Sequence, residues 1–251
     1  MTSAPLSLCF VHGLACGPED WDGLRAELGD VWSIQAIDLG FFDPDQTAPL
    51  PTMDSMIAQV ELAVARRSVI IGHSLGCRIA MGVAAHKPDS VAGIVLLDGG
   101  RLSDLDPDSF LAPLDHDPEG FIDLFFGQMM GPKMPPATGD VLLKRAKAMP
   151  PKRVASAFGS MIRWDRDRSS AALVTCTAMP TLVLQTTTRN PEGRRVVLEA
   201  EESSMYADFI AAGIPEAEIA VPGGLGHFPM YEDLAATAAP IRAFLDRLQA
   251  S

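Results

Sequence analysis

Residues 68–76 read Ser-Val-Ile-Ile-Gly-His-Ser-Leu-Gly, a β-branched run that leads into a Gly-x-Ser-x-Gly motif. An apolar stretch with helical spacing follows, so the sequence predicts a strand, a tight turn and a helix in succession. Such a turn holds its central serine in a strained backbone conformation that only small neighbouring residues tolerate. Ser74 is therefore the candidate nucleophile, raised clear of the end of its strand.

The composition predicts a soluble protein with one α/β core and an insertion. The chain has 251 residues, of which 47% are hydrophobic and 21% are charged. No apolar run approaches the roughly 18 residues that cross a bilayer, and residues 1–8 lack the basic segment of an export signal. The four cysteines have no C-x-x-C spacing, which favours reduced thiols over a disulfide framework or a zinc site. We expect a cytoplasmic protein.

The charge balance limits the kind of partner. The net charge is −12 and the pI is about 4.7, so phosphates repel the protein as a whole. We expect neither a nucleic-acid nor a membrane partner, but a small-molecule substrate and a monomer or homodimer.

One segment departs from this acidic balance. Nine of the 20 Lys and Arg residues lie between Lys133 and Arg168, where residues 131–170 contain only three acids. These residues either form solvated helix faces or create a field that attracts an anionic small substrate. The sequence leaves both interpretations open.

Strand-like and helical patterns alternate along much of the chain. Helices are predicted over 21–28, around 56–64, from residue 75 onward, and over 195–212 and 234–248, with a loop at 38–51. The predicted strands are residues 6–11, 31–37, 68–71, 91–97, 181–185 and 219–221. This alternation predicts an α/β fold with a mostly parallel sheet flanked by helices.

The alternation is interrupted between residues 99 and 179. This part has no comparable strand pattern, but it has helical windows at 121–130, 141–149 and 154–164. We therefore predict a core formed by residues 1–98 and 180–251, with an inserted helical cap formed by residues 99–179.

Four polar residues follow ends of the predicted strands: His12, Ser74, Asp98 and His227. Because ligand sites of parallel sheets lie beyond the carboxyl ends of the strands, we expect these residues to share one site. A serine hydroxyl needs a histidine to take its proton and a third group to orient that histidine. His227 is the favoured base, because it follows the flexible glycine-rich stretch 223–226 after the last strand.

With the His12-Gly13 pair, the Gly72–Gly76 motif and the late Gly226-His227-Phe228, the chain resembles the α/β-hydrolase superfamily over nearly its whole length. The resemblance implies that the backbone N–H groups of Leu14 and Leu75 hold the oxyanion. It implies neither a metal nor a cofactor.

The third catalytic group departs from the commonest pattern of that superfamily. Many members carry an acid shortly after the strand that here is 181–185, but Gln185-Thr186-Thr187-Thr188-Arg189-Asn190 contains no carboxylate. A subset of members places the acid after the preceding strand, where Asp98 stands in the order Ser, Asp, His. Asp98 is the preferred acid, although it would also suit a helix cap or a loop, and Glu192 is the reserve candidate.

The residues predicted to contact substrate are His12, Phe41, Arg163 and Trp164. Phe41 and Phe42 either line the pocket or pack in the core, and the second interpretation is favoured. Arg163, Arg166 or Arg168 would clamp a carboxylate of the substrate, which would favour the hydrolysis of a small amide.

The predicted function is a serine hydrolase that cleaves a small carboxylic ester or lactone through an acyl-enzyme on Ser74. An amide hydrolase of a small anionic substrate is the nearest alternative. The superfamily also includes C–C hydrolases, hydroxynitrile lyases and cofactor-free dioxygenases on similar residues. A protein of this superfamily that binds a ligand without turning it over is the non-enzymatic alternative.

Overall fold

The computed structural model describes residues 6–42 and 47–250. Strands within these residues are β1 (Ser7–Val11), β2 (Ser33–Ile37), β3 (Ser68–His73), β4 (Val91–Leu97), β5 (Thr181–Leu184), β6 (Thr187–Arg189), β7 (Arg195–Val197) and β8 (Glu218–Ala220). Helices are α1 (Asp22–Leu28), α2 (Met53–Ala63), α3 (Leu75–His86), α4 (Pro107–Leu111), α5 (Pro118–Gly127), α6 (Pro136–Ala148), α7 (Pro151–Asp167), α8 (Ser169–Thr175), α9 (Met205–Gly213), α10 (Pro229–Glu232) and α11 (Leu234–Ala250).

Six of these strands form one parallel sheet in the order β2-β1-β3-β4-β5-β8. This confirms the predicted α/β fold with a mostly parallel sheet. The chain begins in β1, crosses to β2 on one side, and then returns to β3 on the other. The crevice between β1 and β3 is therefore the topological switch point, where parallel sheets place their ligands.

Helices cover both faces of the sheet. The crossovers from β1 to β2 and from β3 to β4 run in opposite directions, so the right-handed rule puts α1 and α3 on opposite faces. Helix α11 packs beside α1, whereas α2 and α8 pack beside α3. Every residue of β3 is buried, because this central strand lies under helices on both faces.

The prediction of a helix over residues 195–212 is wrong for the first half of that range. Residues 195–197 form β7, which pairs with β6 in a short antiparallel hairpin, and the helix begins only at Met205. The turn is Asn190-Pro191-Glu192-Gly193, and Gly193 has a φ of 79°. A turn of this composition between Thr-rich and Val-rich runs is typical of a hairpin, so the sequence did contain the signal.

Residues 99–179 contain helices α4 to α8 and no strand. We call them the helical insertion; their division from the core as a separate cap stays a prediction. Two of the basic residues between 133 and 168, which were predicted either to be solvated or to attract substrate, attach this insertion to the core. Arg145 on α6 pairs with Asp20, and the buried Arg153 on α7 donates to the Gly40 carbonyl at 2.7 Å.

Two predicted segments fall partly outside the described residues: the N-terminal stretch 1–8, through residues 1–5, and the loop 38–51, through residues 43–46. Within the described part of the chain, no helix combines the length and the apolar character needed to span a membrane. All four cysteines are buried and unpaired.

Candidate active site

The turn between β3 and α3 holds Ser74 in a strained conformation. Its φ is 56° and its ψ is −110°, a combination that side-chain-bearing residues rarely adopt. The turn closes because Gly72 and Gly76 lack side chains: a Cβ on Gly72 would lie 2.2 Å from the Gly76 carbonyl oxygen, and one on Gly76 would lie 2.1 Å from that of Val11. Ser74 is the only half-exposed residue of 68–84, so its hydroxyl is the accessible group of this segment.

Two backbone amides flank this serine. Leu75 is the first residue of α3, where N–H groups have no acceptor within the helix. Leu14 follows β1 on the other side of the switch point, and within the described residues its amide donates no backbone hydrogen bond. Both residues line the same cavity as Ser74. Two such donors suit an oxygen that becomes negatively charged, and the Leu75 amide adds the positive dipole of a helix N-terminus.

His227 and Asp98 are brought together from 129 positions apart in sequence, with His227 Nδ1 2.5 Å from Asp98 Oδ2. Because Nδ1 donates to the carboxylate, Nε2 of the neutral ring is left as an acceptor. His227 lines the cavity together with Ser74. The Ser74 hydroxyl makes no hydrogen bond within the described part of the chain, so it is free to turn toward a base.

The Asp98 carboxylate is saturated by donors. Oδ1 accepts from the amides of Thr186 and Thr187, and Oδ2 accepts from the Thr187 hydroxyl at 2.6 Å and from Arg195 Nη1 at 3.1 Å, besides His227. Burial opposes ionisation, but the hydrogen bond from His227 and the nearby charges outweigh it and lower the pKa of Asp98. The carboxylate stays charged at neutral pH.

Burial and the positive charge of Arg195 lower the pKa of His227, although Asp98 acts in the opposite direction. The ring is therefore neutral at neutral pH, the state in which Nε2 can accept a proton.

A second histidine supports the His227 loop. His73, buried in the turn beside Ser74, donates from Nε2 to the His227 backbone carbonyl at 2.7 Å. The His227 amide in turn donates to the Met129 carbonyl of the helical insertion at 2.8 Å. Burial lowers the pKa of His73 to about 4, so His73 acts as a fixed neutral donor.

These groups face a cavity of about 550 Å³. The helical insertion contributes an apolar surface of aromatic and methionine side chains, in which Phe125 packs edge-on against Phe158 at 4.7 Å. The polar part of the lining comes from the loop after β4, where the insertion begins, and from the segment after β5 in the core. The lining of the insertion includes Phe110, Phe125, Phe126, Gln128, Met129, Phe158 and Met161.

The structure corrects the predicted substrate contacts, since none of those four residues lines the cavity. His12 is buried, with Nδ1 on the Gly13 carbonyl and Nε2 accepting from the Leu39 amide, and Phe41 packs against its ring at 5.6 Å. These contacts join the loop after β1 to the loop after β2. Arg163 is exposed and Trp164 is buried in α7.

The reserve acid also lies apart from this site, because Glu192 is exposed in the hairpin turn. It is Asp98 that contacts His227.

Sequence reasoning missed the residues that hold the acid: Thr186, Thr187 and Arg195. The signal was the Thr-rich segment after β5, where a carboxylate is absent. Here the segment after β5 contains no acid and donates hydrogen bonds to Asp98, which follows the neighbouring strand β4.

Comparisons with known proteins agree with this fold. The sequence pattern of the alpha/beta hydrolase family matches residues 10–239. The chain is 29% identical over 90 residues, 36% of its length, to the biotin biosynthesis bifunctional protein BioHC of Cellvibrio japonicus. It is 31% identical over 124 residues, 45% of its length, to the lipase LipV of Mycobacterium tuberculosis. The chain spans 18% and 47% of the lengths of these two relatives.

The fold has a similar counterpart among solved structures. A hydrolase from Oleispira antarctica superposes with a TM-score of 0.78, covering 98% of this chain and 93% of that one, at 15% sequence identity.

Proposed function

This chain belongs to the alpha/beta hydrolase family, and we propose that it is a serine hydrolase that cleaves a small carboxylic ester or lactone. The observation that carries the proposal is the 2.5 Å contact between His227 Nδ1 and Asp98 Oδ2, in the same cavity as the strained Ser74. The match to a lipase supports ester cleavage over other reactions of this fold. A cavity of about 550 Å³ suits a small substrate.

In the first half of the reaction, Ser74 Oγ attacks the carbonyl carbon of the ester while His227 Nε2 takes the hydroxyl proton. The carbonyl π electrons move to the oxygen, and the Leu14 and Leu75 amides stabilise the resulting negative charge. His227 then gives its proton to the leaving alkoxy group as the C–O bond breaks. An alcohol leaves, and the acyl group stays on Ser74.

In the second half, His227 takes a proton from water as the water oxygen attacks the acyl carbon. The same two amides stabilise the second oxyanion, and the proton returns to Ser74 Oγ when the acyl bond breaks. Asp98 keeps its charge throughout and stabilises the protonated imidazole. The carboxylic acid is released.

Active-site labelling tests the nucleophile. We expect a fluorophosphonate to modify the wild-type protein at Ser74, and we expect Ser74→Ala neither to be labelled nor to hydrolyse 4-nitrophenyl esters. The control is Ser109→Ala, a serine in the short helix α4. A folded wild-type protein that resists labelling and turns over no ester would contradict the proposal.

Two matched variants, each of which replaces a carboxylate by an amide, test which residue is the acid that orients His227. Asp98→Asn removes the charge that stabilises the imidazolium, and we expect kcat to fall about a thousandfold or more. Glu192→Gln changes an exposed turn residue, and we expect kcat within about threefold of the wild type. The reverse ranking, with both variants folded by circular dichroism, would exclude Asp98.

A further inference from the structure

The wall of the cavity has the opposite charge to the protein as a whole. The net charge is −12, yet four arginines and a single carboxylate are the charged side chains that line the cavity within the described residues. The arginines are Arg78, Arg101, Arg189 and Arg195, and the carboxylate is Asp104. Arginines that face a cavity suit planar anions, because the guanidinium fork matches a carboxylate.

Two of these arginines are already neutralised by buried acids. Arg78 binds Asp165 of α7 through two hydrogen bonds, from Nε at 2.8 Å and from Nη2 at 2.6 Å. Arg195 lies 3.1 Å from the Asp98 carboxylate that orients His227. Neither pair leaves an unbalanced charge for a ligand.

Arg101 has no carboxylate partner in the described part of the chain. Its Nη2 donates to the Asp165 backbone carbonyl at 3.2 Å, and its guanidinium stacks 4.2 Å above the Phe209 ring. Its Nε is buried without a hydrogen-bond acceptor. These contacts hold the side chain in place and leave its charge uncompensated, an arrangement that favours an anionic ligand.

Arg189 is only weakly compensated. Its Nη1 lies 3.5 Å from Asp104, whose side chain is 70% exposed, and its Nε donates to the Gly193 carbonyl at 3.3 Å. Exposed ion pairs of this kind contribute little, so a ligand can compete with Asp104 for Arg189. Together Arg101, Arg189 and Asp104 carry one unbalanced positive charge, which a monoanion would neutralise.

We propose that Arg101 and Arg189 bind a carboxylate of the substrate, so that the preferred substrate is an ester that also carries one carboxylate group. The inference rests on the proposed ester hydrolysis. The apolar surface around Phe125 and Phe158 receives the rest of the molecule. This places anion recognition on the loop after β4 and on the hairpin of β6 and β7, whereas the sequence suggested Arg163, Arg166 or Arg168. The latter two pair with Asp167 and Asp54.

Two pairs of matched esters test the proposal. The first pair is mono(4-nitrophenyl) adipate and its methyl ester, which differ only in the acyl-side carboxylate. The second pair is 4-acetoxybenzoate and its methyl ester, which place the carboxylate on the leaving group. We expect the wild type to prefer the anionic member of at least one pair by about tenfold or more in kcat/KM. The preference should shrink as salt is added.

Variants of single arginines test which residues cause the preference for the anionic ester. Arg101→Met and Arg189→Met should each lose about tenfold on the anionic ester and retain the neutral ester within about threefold. Arg101→Lys keeps the charge without the planar fork and should fall between the two. The matched control is Arg163→Met, which we expect to keep the wild-type preference, because Arg163 lies outside the cavity lining.

A binding measurement separates this inference from the proposed reaction. Calorimetry on Ser74→Ala should show that monomethyl adipate binds at least about tenfold more tightly than dimethyl adipate, and that Arg101→Met in that background removes the difference. Equal rates within both ester pairs, or equal binding of the two adipates, would overturn the inference even if esters are hydrolysed. Absence of hydrolysis of all four esters, with selective binding intact, would instead count against the reaction.

Discussion

Arg195 contacts the Asp98 carboxylate that accepts a hydrogen bond from His227. Its Nη1 reaches both Asp98 Oδ2 and the Thr187 hydroxyl, so it ties the hairpin of β6 and β7 to the end of β4. The charged groups around it are Asp98, Arg78 and Arg189, and His73 faces His227 from the turn after β3. A positive charge at this point disfavours protonation of His227.

We expect Arg195→Met to move the acid limb of the pH profile to higher pH. In the proposed mechanism, protonated His227 cannot accept the Ser74 proton, so activity falls below the pKa of His227. Removing the positive charge of Arg195 raises that pKa. The expected shift in kcat/KM for a neutral ester is about one pH unit.

Arg242→Met is the control for this measurement, because that arginine pairs with Glu27 away from the cavity. An acid limb that stays at the same pH in Arg195→Met would show that its charge does not act on His227.

Helix α7 is attached to the core by a buried ion pair. Asp165 on α7 and Arg78 on α3 are both nearly inaccessible, and Asp165 Oδ2 also accepts from the Leu102 amide at 2.7 Å. The pair therefore joins the insertion, the central helix and the loop that carries Arg101. Because both partners are buried, the removal of one leaves the other as an uncompensated charge.

Asp165→Asn should lower the free energy of unfolding by about 3 to 5 kcal/mol, because the Arg78 guanidinium then stays buried without a counter-charge. Urea unfolding followed by circular dichroism measures this.

Asp167→Asn provides the matched control on the same helix. Asp167 pairs with Arg166 at the surface, and its replacement should change the free energy by about 0.5 kcal/mol or less. Equal effects of the two variants would mean that the Arg78 pair does not anchor the insertion.

The folded protein holds several histidines in buried positions, where their side chains are neutral. Burial lowers the pKa of His73 to about 4, and it also lowers the pKa values of His12 and His227. In the unfolded chain each of these side chains takes up a proton below about pH 6.5. The unfolded state thus binds more protons than the folded state between about pH 6.5 and 4, and stability must fall as the pH decreases through this range.

We expect urea midpoints to decrease steadily from pH 7 to pH 5. Each buried histidine makes the free energy of unfolding fall by up to about 1.4 kcal/mol for each pH unit of acidification. His73→Gln removes one titrating group while it keeps a side-chain donor near the His227 carbonyl, so its slope should be smaller than that of the wild type. Midpoints that do not change between pH 7 and 5, or an unchanged slope in His73→Gln, would contradict this account.

Much of the architecture was predictable from short segments. The run of residues 68–76 contains its own strand, turn and helix start, because β-branched residues, two required glycines and helix-forming residues follow one another directly. Ser74, Asp98 and His227 could be grouped for a related reason: the carboxyl ends of parallel strands meet at one edge of the sheet. The hairpin of β6 and β7 was missed because helix-favouring residues follow it.

The remainder of the site depends on contacts between distant residues. Nothing near Arg101 or Arg189 distinguishes them from the other 18 basic residues. The basic stretch 133–168 was locally more conspicuous, but Arg145 and Arg168 pair with acids and Arg153 anchors the insertion to the core. Whether an arginine is neutralised, as Arg78 is by an acid 87 positions away, depends on how the insertion packs on the sheet. Local patterns specify elements and their order because backbone preferences are local. Charge compensation is a property of side chains that meet only in the folded molecule, so the polar wall of the cavity emerged only there.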